Sequence, residues 1–248
     1  MAPENLSSPV SVPSSGGWDE SAQAWINEQG DSGDFGRRFV LDTPMLARIR
    51  DRGFSTALDV GCGEGRFCRM MQAIGLRTIG IDPTATLLAR ARALDPAGEY
   101  RMGRAETLEL AAPVDLVVSY LSLIDIADLP AALARMTACL RPGGSLLIAN
   151  LTSFNTAGQP DGWRRDAQGE PCFLIDHYLE ERAIRANWRG IRILNWHRPL
   201  STYMSLLLDL GLHLTHFSEP APTGGDPSKA DLYRRVPYFH IMEWCRPG

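Results

Sequence analysis

The sequence predicts an α/β protein built on a doubly wound, mostly parallel sheet with helices on both faces. Three observations carry this expectation. Short apolar runs alternate with segments of helical spacing between residues 56 and 150. Helical segments stop at Gly75 and at Arg141-Pro142-Gly143-Gly144, and the first apolar run leads straight into a glycine-rich turn. Strands alternating with helices in this way build βαβ units, whose strands lie parallel.

Each element follows from its own pattern. Residues 1–17 are rich in Pro, Ser and Gly with little to bury, and read as a disordered tail. Residues 18–52 carry helical spacing, with Ala22, Trp25 and Ile26 on one face and Met45, Leu46 and Ile49 on another; Gly30-Asp31-Ser32-Gly33 breaks them apart. Thr56–Val60 reads as a short buried strand. The next helix has Phe67, Met70, Met71 and Ile74 at i, i+3, i+4 and i+7. A second strand covers 78–81 and ends at Asp82, and Pro83 sits where a helix begins, with Leu87, Leu88 and Ala91 as its face. Val114–Tyr120 is a continuous apolar strand. A helix marked by Leu129, Leu133, Met136 and Leu140 precedes a strand over 145–150.

Residues 151–190 break the rhythm. They are polar, hold Gly158, Pro160, Gly162, Gly169 and Pro171, and yet include Phe154, Trp163, Phe173, Tyr178 and Trp188, the composition of an inserted lid. The sheet is expected to resume over 191–196. A helix faced by Leu200, Tyr203, Met204, Leu207 and Leu208 follows, then two strands near 212–217 and 238–244. Residues 18–248 therefore read as one domain: a helical cover (18–52), a first half (53–150), the lid (151–190) and the end of the sheet (191–248).

Composition narrows the function. Of 248 residues, 44% are hydrophobic and 22% charged, with a net charge of −4, so a large nucleic-acid footprint is not expected. The one dense basic spot, Trp163-Arg164-Arg165, is too short to alter that. The five cysteines, Cys62, Cys68, Cys139, Cys172 and Cys245, lack metal-ligand spacing and suit reduced thiols in a cytoplasmic protein. No apolar run reaches the ~18 residues of a membrane span, and no secretion signal opens the chain. Neither a metal nor a membrane is expected; the sequence leaves the oligomeric state open.

The run Leu58-Asp59-Val60-Gly61-Cys62-Gly63-Glu64-Gly65 carries the chemistry. A tight turn after a buried strand needs glycines for the backbone to approach a ligand. The spacing is G-x-G-x-G rather than the G-x-G-x-x-G that opens a pyrophosphate site. Asp59 at the strand end would repel a pyrophosphate and attract an ammonium group. Asp82 lies 23 positions further on, at the end of the second strand, where a carboxylate can accept both hydroxyls of a ribose. A phosphate-free nucleoside bearing an ammonium group fits both.

With Ile79-Gly80-Ile81-Asp82 and Leu140-Arg141-Pro142-Gly143-Gly144 downstream, residues 56–150 resemble the class I S-adenosylmethionine-dependent methyltransferases. The small-molecule group that includes the ubiquinone-pathway enzymes is the nearest. The resemblance implies a seven-stranded sheet and S-adenosyl-L-methionine as cofactor. It implies that the backbone of Gly61 and Gly63 lines the methionine moiety, with Asp59 and Cys62 also in the cofactor site, that Asp82 holds the ribose, and that Pro83 lies beside the adenine. Arg104, Ala105 and Glu106 match the segment that caps the adenine, although the family commonly has Asp where this chain has Arg104. Ser119 and Tyr120 fall against the cofactor and the acceptor pocket. Gly33-Asp34-Phe35-Gly36-Arg37 resembles a pattern in which the arginine contacts the cofactor carboxylate; Arg37 packed on a helix surface is the alternative.

Methyl transfer from a sulfonium is a displacement in which the protein aligns the reactants, and a base matters for a hydroxyl acceptor. His197, in Trp196-His197-Arg198-Pro199-Leu200-Ser201, is the first candidate for a base or substrate contact, against a capping or packing role. Asp176 and Tyr178 in the lid are the others, beside His177, with a solvated loop surface as the alternative. His240 is expected as a hydrogen-bonded core residue, and His213 and His216 as structural. The aromatics Trp18, Trp25, Trp163, Phe173, Tyr178 and Trp188 would enclose a small, partly aromatic acceptor or pack the lid. A tRNA or protein methyltransferase, a binding protein without catalysis and a nucleotide-dependent dehydrogenase are the competing functions.

Overall fold

The seven strands of the main sheet run in the order β10-β11-β5-β4-β1-β2-β3. They are β1 (Thr56–Val60), β2 (Arg77–Asp82), β3 (Glu99–Met102), β4 (Val114–Tyr120), β5 (Leu140–Leu151), β10 (His213–Ser218) and β11 (Phe239–Cys245). All neighbours from β3 through β5 pair in parallel, while β11 pairs antiparallel to both β5 and β10. The computed structural model describes residues 16–30 and 32–248. The expected disordered tail lies outside these up to residue 15, as does Asp31 of the expected break.

Alternation along the strands explains the layers, because successive side chains point to opposite faces. Leu58, Val60, Val117, Leu146 and Ile148 face one core, packed against α5 (Leu129–Ala138) and α7 (Leu200–Asp209) through Leu133, Met136, Tyr203 and Leu207. Ala57, Leu116, Val118, Leu147 and Ala149 face the other, with Met45 from α2 (Asp42–Ala47) and Phe67 and Met71 from α3 (Arg66–Gln72). The order reverses between β1 and β4, the switch point at which ligands of open α/β sheets bind, beyond the carboxyl ends of the strands.

A buried acid pins β11 in place. Glu243, 1% exposed, accepts from Arg48 at 2.8 Å, from Arg52 at 2.9 Å and from Ser145 on β5 at 3.1 Å. Against the effect of burial, the two arginines hold its carboxyl below the usual range.

Several expectations are corrected. The strand expected to resume the sheet is β9 (Ile191–His197), and it pairs antiparallel with β8 (Arg182–Trp188) in a separate two-stranded ribbon. Its alternation of buried Ile191 and Ile193 is that of a strand, but the buried face packs under α1 (Trp18–Gln29). The lid is more regular than its composition suggests: α6 (Ser153–Ala157) and a hairpin of β6 (Trp163–Arg165) and β7 (Pro171–Phe173) precede β8. Gly16 and Gly17 belong to the fold: Leu194 donates to the Gly16 carbonyl at 2.8 Å, and a side chain on Gly17 would overlap the Arg192 carbonyl. Pro83 precedes the N-cap Thr84 of α4 (Ala85–Leu94) instead of opening the helix. Leu208 is 56% exposed, outside the buried stripe of α7. His240 is in the core, yet its Nε2 has no hydrogen-bond partner among the described residues, and burial pushes its pKa down to about 4. The loop before β11 carries a helix, α8 (Pro227–Arg235), which Asp226 caps by accepting from Lys229 N.

Candidate functional site

The glycine turn between β1 and α3 forms because its residues stand where side chains cannot. Gly61 has φ 76°, and a Cβ there would overlap Ser122, which follows β4. Gly61 and Cys62 both donate to the Ile81 carbonyl, at 2.8 and 3.0 Å, so the turn is stitched to the end of β2. Asp82 completes it, accepting from Gly63 N at 2.9 Å and from Thr84 N at 2.8 Å.

Beyond this turn lies a cavity of about 580 Å³, within the ~300–1,000 Å³ range of small-molecule sites. Asp59, Gly61, Cys62, Gly63, Asp82 and Pro83 line it, as do Arg104, Ala105, Glu106, Tyr120 and Arg37. Asp59 is 1% exposed, and its Oδ1 has no partner within the described residues. Its Oδ2 accepts from the Cys68 thiol at 3.4 Å. Burial, with the negative charges of Asp82 and Glu64 adding to it, raises its pKa to about 7 against the opposing Cys68 bond. Asp82 is also raised, by burial, against the two amides that bind it. A buried carboxylate oxygen without a donor beside a glycine turn suits a cationic group.

The arginines at the cavity are already engaged. Arg37 bonds Asp34 at 2.7 Å and lies 4.8 Å over the Trp25 ring; Arg66 reaches Asp42 at 2.9 Å; Arg104 meets Glu106 at 2.9 Å. Tyr120 donates to the same Asp42 at 2.8 Å, fixing its ring edge-on to Phe67.

Four residues singled out from the sequence stand elsewhere. Ser119 is fully buried behind the wall, its hydroxyl 2.6 Å from that of Ser122, which lines the cavity in its place. His197 is fully buried and does not line the cavity. Its Nδ1 meets the Thr156 hydroxyl at 2.7 Å and its Nε2 the Tyr178 carbonyl at 2.9 Å. A carbonyl only accepts, so Nε2 carries the proton and Nδ1 accepts from Thr156; burial pushes the imidazole pKa down. Tyr178 packs its ring on Phe154 and His197, outside the wall, and Asp176 is exposed beside His177. Neither Asp176 nor Tyr178 lines the cavity; Tyr178 is instead tied to His197 and to Leu200 N at the start of α7.

Other lining residues went unseen in the sequence. On the side of β5 and β11 the wall is Leu151, Asn155, Gln159, Tyr233, Tyr238 and Phe239. Tyr233 and Tyr238 stack with centroids 3.8 Å apart, and Trp163 donates to the Tyr238 hydroxyl at 2.9 Å. Of the six expected aromatics, Trp18, Trp25 and Trp188 reach the cavity itself. Asp125 and Asn195 also line it, on the side of α1. Among the described residues no helix is long and apolar enough to cross a membrane.

Residues 58–148 match the methyltransferase domain family. A malonyl-[acyl-carrier protein] O-methyltransferase of Enterobacter lignolyticus is 28% identical over 181 residues, 71% of each chain. One from Serratia marcescens is 36% identical over 44% of this chain and 43% of its own length. A ubiquinone biosynthesis O-methyltransferase of Rhodopseudomonas palustris is 35% identical over 38% of this chain and 39% of its own. Against the last two, the matched segment thus spans about two fifths of the relative. Among solved structures, an S-adenosylmethionine-dependent methyltransferase from Mesorhizobium loti superposes with a TM-score of 0.77 and 26% identity, covering 88% of this chain and all of that one.

Proposed function

The chain carries a methyltransferase domain of the class I, S-adenosylmethionine-dependent type, and on that premise we propose that it methylates a hydroxyl of a small, flat, uncharged acceptor. The observation that carries the reading is the buried Oδ1 of Asp59, without a donor in the cavity wall beside the glycine turn. It suits the ammonium group of the cofactor's methionine moiety. Asp82 keeps lone pairs for the ribose hydroxyls after accepting two amides. Ala105 and Leu87 offer apolar surface for the adenine, and Arg37 is at hand for the carboxylate.

When bound, S-adenosylmethionine supplies a methyl group activated by its sulfonium. What the protein adds is alignment of acceptor and methyl, which can contribute ~7–11 kcal/mol, and exclusion of water. The acceptor class rests on the wall beside β5 and β11. The stacked Tyr233 and Tyr238, with Phe239 and Leu151, favour a flat apolar body, and the amides of Asn155 and Gln159 can orient a polar substituent. The three relatives named above are O-methyltransferases, two of malonyl-[acyl-carrier protein] and one of ubiquinone biosynthesis. A free carboxylate on the acceptor suits this cavity less well, because Arg66 and Arg104 carry carboxylate partners and Arg37 is assigned to the cofactor's carboxylate.

Transfer of isotopically labelled methyl from S-adenosylmethionine to a small-molecule extract tests the proposal. Labelled phenol-type ethers are the expected products. Labelling confined to carboxylates, macromolecules or nothing at all would refute it. Asp82→Ala should weaken S-adenosylhomocysteine binding by at least ~1.5 kcal/mol, the low end for a charged hydrogen bond.

A further inference from the structure

A second carboxyl, Asp125, is built into the same cavity by parts of the chain far from the glycine turn. It ends a single 3₁₀ turn, Leu123–Asp125, just after β4. Its Oδ1 accepts from Asn195 Nδ2 on β9 at 2.6 Å, and Trp18 of α1 hydrogen-bonds its side chain as well. The loop that carries it is held from below by Arg198, which is 3% exposed and donates to the carbonyls of Ile126 at 2.6 Å, Ala127 at 2.9 Å and Leu123 at 3.4 Å. Three backbone acceptors and one carboxylate oxygen are thus fixed by Asn195 on β9 and Arg198 just past its end. Rigid support of this kind is what a reacting group needs, and it exceeds what one surface-side acid would require.

We propose that Asp125 receives the acceptor's proton during methyl transfer, and that Asn195 and Arg198 are its positioning residues; this rests on the methyl-transfer reading above. The acceptor oxygen bonds to the methyl carbon as the carbon–sulfur bond breaks and its electron pair stays on sulfur. The hydroxyl proton passes to the Asp125 carboxylate and from there to water. The electrostatics suit a base working near neutrality. Burial, and to a smaller extent the charge of Asp82 on β2, raise the Asp125 pKa to about 8, while Asn195, Trp18 and the more distant Arg37 oppose the rise.

The test uses the full chain and Asp125→Asn, which keeps size and shape. Calorimetry with S-adenosylhomocysteine, infrared difference spectra of the S-adenosylhomocysteine complex and labelled-methyl transfer to the extract are measured together. In the wild type a protonated-carboxyl C=O band should disappear as pH rises through about 8. That band should be missing in Asp125→Asn, which should still bind S-adenosylhomocysteine and should lose ~10²–10⁴-fold in transfer. Asn195→Ala should move the band's titration and the rising limb of the transfer rate together to higher pH, because a hydrogen bond to the anion is lost. Transfer by Asp125→Asn at the wild-type rate, loss of its S-adenosylhomocysteine affinity, or a wild-type-minus-variant spectrum with no carboxyl band titrating near 8 would each overturn the proposal. Absence of labelled product from the wild type would instead remove the methyl-transfer reading, and this proposal with it.

Discussion

The buried ring of His197 donates from Nε2 to the carbonyl of Tyr178 at 2.9 Å, while its Nδ1 accepts from Thr156. It therefore joins α6, the end of β9 and the turn at Tyr178, and it faces protein on every side. His197→Ala should lower stability by about 2–4 kcal/mol, the cost of a cavity plus two orphaned polar partners. Denaturant unfolding measures that. Below the transition, S-adenosylhomocysteine affinity should stay at the wild-type value; a folded variant that had lost affinity would return His197 to the site.

Asp59 ties cofactor binding to pH. Its carboxyl titrates near 7 in the folded protein, against an ordinary value of 3.8. Binding of an ammonium group needs the anion, so S-adenosylhomocysteine affinity should rise with pH up to about 7 and level off above it. The free protein shows the opposite trend. A raised acid binds more protons folded than unfolded, so its burial costs nothing below 3.8 and its full penalty above about 7. Asp59→Asn should thus raise the melting temperature of the free protein in mild alkali, leave it unchanged in strong acid, and abolish the pH dependence of binding. Calorimetric titration and melting curves across that window decide it.

Glu243 is the reverse case. Its carboxyl is held below the ordinary value by Arg48 and Arg52, so its contribution is present at neutral pH and lost as pH falls through the lowered value. Glu243→Ala strands two arginines beside a buried gap and should cost about 3–5 kcal/mol. The loss should show as a reduced urea midpoint with an unchanged slope.

Gly61→Ala should abolish binding before it abolishes folding. The left-handed backbone disfavours a side chain, and the new methyl would press on Ser122, whose hydroxyl donates to the Val60 carbonyl at 2.6 Å. We expect S-adenosylhomocysteine affinity to drop at least tenfold, about 1.4 kcal/mol, with circular dichroism close to wild type.

The glycine turn and its two acids were legible in the sequence because each is a local feature: Asp59 and Asp82 end consecutive strands, and the glycines occupy positions that only they tolerate. β3 gave no signal, since Tyr100 is its one buried residue. The ribbon was misassigned for a different reason. Ile191 and Ile193 alternate as in any strand, and alternation does not say which strand lies alongside. Asp125 is not marked as a site residue by the sequence because its partners Asn195 and Trp18 are 70 and 107 positions away, and nothing local distinguishes it from a surface acid. His197 drew attention as an ionisable residue in a turn, whereas its burial depends on α6 and the Tyr178 loop closing over it. The stacked pair Tyr233 and Tyr238 spans a helix end and a strand start, a relation that neither periodicity encodes.

The β8–β9 ribbon grips both of its neighbours. Ser21 of α1 exchanges hydrogen bonds with the Arg192 backbone at 3.1 and 2.9 Å, Arg189 holds Glu28, and Asn195 and Arg198 hold the loop after β4. The roof of the chamber and the acid beside it thus share one support, so a substitution that loosens the ribbon reaches both at once.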